Sequence, residues 1–232
     1  MKKTILASIM SLLLGNAVAS GNNSVYIDQT NADNSITLIT QTGSGNQVGD
    51  RTNMLTPSFV IDGNAMNLTI EQDGMNNTII GNFIGGDSTK SIYQIGSGNT
   101  SKFDMGNFGT NGGLIVMTLT GDNNNTEYTM ASTANTGNYN YTLTVTGNNN
   151  TINSTMNSKY IVNTITITGD TNTFTTVQNG ANGTAMNPGH RIESTVIGNN
   201  NAVSITQNGT VTPNYVTLNI AGNSTSTTIV QH

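Results

Sequence analysis

The sequence predicts an all-β chain: a two-sheet β-solenoid of about eight strand-turn-strand repeats, following a cleaved signal peptide. Three observations carry that expectation. A Gly-x-x-Asn turn recurs along the chain, apolar residues alternate with polar ones on both sides of each turn, and the composition is poor in charge and free of cysteine.

The first residues have the order of a secretory signal. Lys2 and Lys3 are followed by an apolar run from Ile5 to Leu14 and then by Ala17-Val18-Ala19, the small-x-small pattern of a cleavage site. The apolar run is too short to span a bilayer. Residues 1–19 are therefore expected to leave as a signal peptide, with residues 20–232 as one repeat domain. The expected location is secreted, either extracellular or on the cell surface.

Once Lys2 and Lys3 are set aside, five Lys and Arg remain against 12 Asp and Glu, a formal charge of −7. A nucleic-acid surface needs clustered basic residues, and none is found. No later segment is apolar over a membrane-spanning length. Without cysteine, an exported chain must be stabilised by packing and backbone hydrogen bonding rather than by disulfides. Charged residues make up only 8% of the chain, against about 25% in an ordinary domain. Such a composition is compatible with disorder, so periodicity has to decide.

The period is plain. The turn glycines are Gly43, Gly74, Gly96, Gly121, Gly147, Gly169 and Gly198, with an asparagine three residues after each (Asn46, Asn77, Asn99, Asn124, Asn150, Asn172, Asn201). Gly222 and Thr225 form a decayed eighth copy, and Asn23 to Gln29 form half a copy before the first. Successive glycines lie 31, 22, 25, 26, 22, 29 and 24 residues apart, the length of one solenoid coil. Counting back from a glycine in steps of two gives Gln72, Ile70, Leu68, Met66 in one copy and Val145, Leu143, Tyr141 in another. Counting forward from the asparagine gives Val25, Ile27, Gln29 in the half copy, and Tyr128 and Met130, then Val203, Ile205, Gln207, in later copies. Alternation of this kind marks half-buried strands, and no stretch keeps a helical period. Glycine supplies the positive φ of a tight turn, and asparagine tolerates the same region. A single strand pair is marginal in water, whereas stacked coils bury one another's inward rows.

These residues resemble curlin repeats, the units of the bacterial curli amyloid, which read Ser-x5-Gln-x-Gly-x2-Asn-x-Ala-x3-Gln. Ser35, Gln41, Gly43 and Asn46 stand at those offsets, as do Ser88, Gln94, Gly96 and Asn99. The closing glutamine recurs as Gln29, Gln178, Gln207 and Gln231. The turn pattern spans nearly the whole chain, but the full Ser/Gln pattern spans only its first third. From residue 113 onward the first glutamine slot holds Leu119, Val145, Ile167, Val196 and Ile220, and insertions fall near residues 50–62 and 179–190. Curli subunits also begin with a Gly/Asn/Gln-rich targeting segment, which has no counterpart here. The resemblance implies a subunit that polymerises with itself into an amyloid-type fibre for adhesion and biofilm matrix. Its expected partners are further copies of the chain and a curli-type nucleator or secretion apparatus. The residues expected to form amide ladders are Gln29, Gln41, Asn46, Gln72, Asn77, Gln94, Asn99, Gln178, Gln207 and Gln231.

No catalytic residues, cofactor or metal site are predicted. The histidines, His190 and His232, sit in a Pro-Gly loop and at the last position, and the carboxylates are scattered. Asp122 and Asp170 each follow a turn glycine, where turn chemistry is the expected role rather than calcium binding, because the Gly-rich repeat of calcium-binding β-rolls is missing. An enzyme is not expected. The alternative function is a non-polymerising secreted or phage-borne solenoid that binds a surface. Thr142, Thr144 and Thr146 alternate with the buried row, and Thr164, Thr166 and Thr168 repeat them one coil later, with Thr118 and Thr120 one coil earlier. Such a grid resembles the ice-binding face of some solenoid antifreeze proteins, although threonine also suits any solvated strand face.

Overall fold

A computed structural model describes residues 13–18, 21–31, 34–49, 59–63, 65–84, 89–105, 114–129, 140–157, 162–180, 191–209 and 215–231. These residues form strands joined by turns and include no helix. Two parallel sheets face each other. The first runs β1 (Leu13–Val18), β4 (Ile36–Ser44), β7 (Asn67–Met75), β9 (Thr89–Ile95), β11 (Leu114–Thr120), β13 (Asn140–Thr144), β15 (Val162–Thr168), β17 (Arg191–Ile197) and β19 (Tyr215–Ala221). The second runs β2 (Ser24–Val25), β5 (Gln47–Val48), β8 (Thr78–Ile84), β10 (Thr100–Met105), β12 (Asn125–Thr129), β14 (Thr151–Asn157), β16 (Thr173–Gly180), β18 (Ala202–Gly209) and β20 (Ser226–Gln231). From β4 to β17 each strand of the first sheet passes through a Gly-x-x-Asn turn into a strand of the second, and β19 does so through Gly222 to Thr225, so that the described strands stack as a β-solenoid.

Two short strands complete the second sheet. In the first coil its strand is interrupted after β5 by residues 50–58, which lie outside the described residues, and resumes as β6 (Phe59–Asp62). β5 and β6 pair with successive parts of β8. One coil earlier, β2 pairs with β5 and β3 (Asp28–Thr30) pairs with β6. The half copy is therefore a strand of the second sheet. Of the expected signal peptide, Leu13–Val18 lies beside β4 as β1, and residues 1–12 and 19 lie outside the described residues.

The pairing is in register from turn to turn. Gly43 lies opposite Gly74, and Gln41 opposite Gln72. In the first seven copies the turn glycine has φ between 94° and 125°. The residue two places later is also left-handed: Gly45, Asn76, Gly98, Asn123, Asn149, Thr171, Asn200 and Ser224 have φ between 55° and 70°. A turn with two positive-φ residues reverses the chain tightly enough for coils to stack at about the 4.8 Å strand spacing. Thr171 is the costly member of that set, because a β-branched residue is disfavoured there.

The alternation read from the sequence has the right parity. Met66, Leu68, Ile70 and Gln72 are buried, as are Tyr141, Leu143 and Val145, and Val203, Ile205 and Gln207. Met130 lies outside the described residues. Coils at the two ends are less covered. Val25 is exposed, Ile27 and Gln29 are half-buried, and Leu218 and Ile229 are only partly buried. An aromatic column fills the core of the first five coils. Phe59, Phe83, Phe103, Tyr128 and Tyr141 follow one another with ring centroids 5.5, 5.3, 6.3 and 4.3 Å apart.

The turn glycines make a backbone column that rejects side chains. A Cβ placed on Gly147 would collide with the carbonyl of Gly169, and φ is already +104°. Gly222 in the last copy lacks a positive φ, and its Cβ position has no atom nearer than 3.8 Å. Gly147→Ala is expected to lower the unfolding free energy by about 2–3 kcal/mol. Gly222→Ala should leave it within about 0.5 kcal/mol. Urea denaturation of the two variants beside the parent chain measures the contrast.

Candidate functional site

The expected amide residues other than Gln29 line up from coil to coil, and the asparagine ladder is the longest. Asn46, Asn77, Asn99, Asn124, Asn150, Asn172 and Asn201 are all 0–1% exposed, each at the inner corner of its turn. The backbone N–H of Asn77 donates to Oδ1 of Asn46 at 3.0 Å, and its Nδ2 donates to the same oxygen at 3.1 Å. The second Nδ2 proton goes forward to the carbonyl of Gly96 at 2.7 Å. The same three bonds recur at Asn99, Asn124, Asn150 and Asn172. A carboxamide is the only neutral side chain that donates twice and accepts on one planar group, which is why asparagine holds this slot. Asn23 starts the ladder by accepting the N–H of Asn46 at 2.9 Å. Thr225 ends it: its N–H and its hydroxyl both donate to Oδ1 of Asn201, at 3.0 and 2.6 Å. The decayed copy thus keeps the interaction with a hydroxyl in place of an amide.

A second ladder, one residue after the glycine, runs the other way. Oδ1 of Asp122 accepts the N–H of Ser97 in the preceding coil at 2.7 Å. Asn148 accepts from Asp122, Asp170 from Asn148, Asn199 from Asp170, and Asn223 from Asn199, at 2.7–2.8 Å. Asp122 and Asp170 therefore do turn chemistry, as the sequence suggests. Among the described residues no group of three or more His, Asp or Glu is placed to hold a metal ion. His190 and His232 lie outside the described residues. No helix among the described residues is long and apolar enough to cross a membrane.

The glutamine ladders are shorter. Nε2 of Gln41 donates to Oε1 of Gln72 at 2.7 Å, and Gln72 donates to Gln94 at 2.8 Å. Gln94 donates to the Ser101 hydroxyl at 2.8 Å, across the core on the other sheet. Leu119 stands opposite Gln94 in the next coil, so the slot turns apolar once the amide chain has been handed to Ser101. In the second sheet Gln178 is in register with Gln207, and Gln207 donates to Gln231 at 2.9 Å. Gln29 does not join a ladder. It stands opposite Ile61 and donates to the Thr37 hydroxyl at 2.6 Å.

The outward side of the first sheet carries the threonine grid. Thr142 is in register with Thr164, and Thr144 with Thr166. The Gly169 N–H bonds to the Thr146 carbonyl, which places Thr146 beside Thr168. Thr195 lies opposite Thr166 and carries the grid into a further coil. On the opposite face of the solenoid, Lys102 and Glu127 form an exposed ion pair at 2.7 Å between adjacent coils.

Among the buried residues that escape the sequence reading, Lys90 is the charged one. Lys90 points inward and is 2% exposed, with its amine 5.5 Å from the centroid of the Phe83 ring. The step of two from Gly96 through Gln94 and Ile92 reaches it, so its parity is legible, but its charge argues for the surface. Burial lowers its pKa from 10.5 to about 8. Burial also raises the phenols of Tyr128 and Tyr141 above their ordinary value.

Comparison of the chain with protein-family models, with curated proteins and with solved structures finds no match.

Two outcomes follow from these placements. Asn124→Ala strands the N–H of Asn150 and the carbonyl of Gly147, and should cost about 2–4 kcal/mol, while Asn148→Ala in the more exposed ladder should cost less than about 1 kcal/mol. Chemical denaturation of both variants reads the difference. For Lys90 the folded pKa lies below the unfolded one, so the unfolded chain holds the extra proton between about pH 8 and 10.5. Stability should therefore rise with pH from about 8, until tyrosine ionisation in the unfolded chain opposes it near pH 10. Urea midpoints at pH 7.0, 8.5 and 9.5 test this, and Lys90→Met should remove the rise and be the more stable chain at pH 7.0.

Proposed function

We propose that the chain is a secreted structural subunit that self-assembles end to end into extracellular amyloid-type fibres. The observation that carries this reading is the sameness of the contact between coils. Each coil meets the next through in-register backbone pairing, an inward row and the asparagine ladder that runs from Asn23 to Thr225. The glutamine ladder, the second turn ladder and the Lys102–Glu127 pair are added at some junctions only. Among the described residues β19 and β20 are each paired on one side only. Their sequences, Tyr215–Ala221 and Ser226–Gln231, hold no charge and no proline, the devices that usually protect a strand edge. Leu218 and Ile229, on the same strands, are partly exposed. The resemblance of the Ser/Gln/Gly/Asn pattern to curlin repeats supports the same reading, with adhesion and biofilm matrix as the role of the fibre. A nucleator or secretion apparatus of the curli kind would be its accessory partner.

The chain from residue 20 onward, purified at micromolar concentration, should give thioflavin-T-positive fibres after a lag that seeds abolish. Fibre diffraction should show the strand spacing of about 4.7–4.8 Å along the axis. A β-rich chain that stays monomeric through seeding sinks the reading and favours a surface binder.

A further inference from the structure

From β9 to β17 the outward face of the first sheet is the more apolar of the two outward faces, with Tyr93, Ile95, Leu114, Val116, Val162 and Ile197 on it. Across β9 to β17 its central positions hold Thr, Ser, Tyr, Val and Ile, and the one charged pair, Arg191 with Glu193, sits at its border. Ile95 and Ile197 are 44% and 47% exposed at its two ends. The other acidic residues of this side, Glu71 and Asp73, lie on β7, outside the patch. The opposite face carries the exposed Lys102–Glu127 pair on β10 and β12, and from β14 to β20 its outward positions hold mostly Thr, Ser and Asn. An uncharged sheet face of β-branched side chains, repeated at the strand spacing, is the surface that closes into a dry zipper between sheets.

We infer that this face docks on the same face of a second copy and holds filaments together side by side. The inference rests on the fibre reading, because a single pair of faces is too small. Five strands at about 4.8 Å by five residues at about 3.3 Å give roughly 400 Å² per copy. The pair therefore buries roughly 800 Å², below the roughly 1,200 Å² of a stable specific interface. Isolated chains do not pair through it. In a filament the face recurs with every subunit, so contacts that are individually weak act together once one has formed. Lateral association thus follows elongation and does not precede it. A two-fold axis parallel to the strands and centred between β11 and β13 sets β7 of one copy against β17 of the other. That antiparallel arrangement keeps the Glu71 and Asp73 carboxylates of the two copies apart, whereas a parallel one would oppose them.

The test is negative-stain microscopy and low-speed sedimentation of fibres grown from the full chain and from the double variant Thr144→Lys/Thr166→Lys. Both threonines point outward, clear of the core and the ladders. Wild-type fibres should bundle at both low and high salt. The double variant should elongate from seeds at the wild-type rate as single filaments, with its sedimenting fraction down about tenfold, because many repeated contacts are lost at once. Thr175→Lys on the opposite face should bundle like wild type. Single wild-type filaments, or bundles that survive the two lysines, overturn the inference and leave the fibre reading standing. Single wild-type filaments that also shape ice crystals would assign the face to ordered water instead. If wild type gives no thioflavin-T-positive fibre, both readings fall together.

Discussion

The asparagine ladder is the constraint to which the rest of the fold answers. A buried carboxamide has two protons to donate and an oxygen to satisfy, and leaving any of them unpaired costs about 1–3 kcal/mol. Here the coils on either side satisfy them: Oδ1 by the next asparagine, one amide proton by the previous asparagine, the other by a glycine carbonyl. Those partners exist only if the coils stack at the strand spacing with their turns aligned. The ladder therefore sets register, and register sets which side chains face inward. A slip of one residue along a strand would turn the apolar row outward and remove every rung together. The turn glycine of the next coil is the geometric condition, because its carbonyl receives the amide and a Cβ there would block the neighbouring turn.

The core composition follows from where amide chains can end. Gln41, Gln72 and Gln94 occupy one slot as long as each has an acceptor ahead of it, and Ser101 receives the last proton. Beyond that point a glutamine would need a new partner, and Leu119, buried in the next coil, needs none. The departure of the later repeats from the Ser/Gln pattern is thus a change of packing chemistry within one architecture. Lys90 sits at the same kind of inward position and is tolerated by losing its charge more readily, beside the Phe83 ring.

Much of this was legible because a turn motif and a two-residue period are local signals. Gly43 to Gly198, the asparagines three places on, and the buried parity from Met66 to Gln207 could be read by counting. The outward threonines were legible for the same reason, although Thr195 was missed because Arg191 and Glu193 flank it. What counting could not reach depends on partners 22 to 31 residues away. The second ladder leaves only an Asp or Asn directly after each of the last five turn glycines, and its bonding partners become visible only when the coils are superposed. Gln29 matches the motif but faces Ile61, because the insertion in the first coil places β6 over it. The left-handed residue two places after each glycine was available: six of the eight are glycine or asparagine.

The lengths of the repeats also record where this architecture tolerates change. Strand, turn and strand keep their register in most coils, so the difference between a coil of 22 residues and one of 29 falls between strands, at 181–190 after β16, while the coil of 31 carries residues 50–58 between β5 and β6. A substitution at a turn must suit the coils above and below it, while a residue added to a return answers to neither. Novelty can therefore accumulate along one margin of the stack while the opposite margin is held fixed. A foreign loop grafted into a return would be carried by the scaffold and displayed at regular intervals wherever the chain repeats.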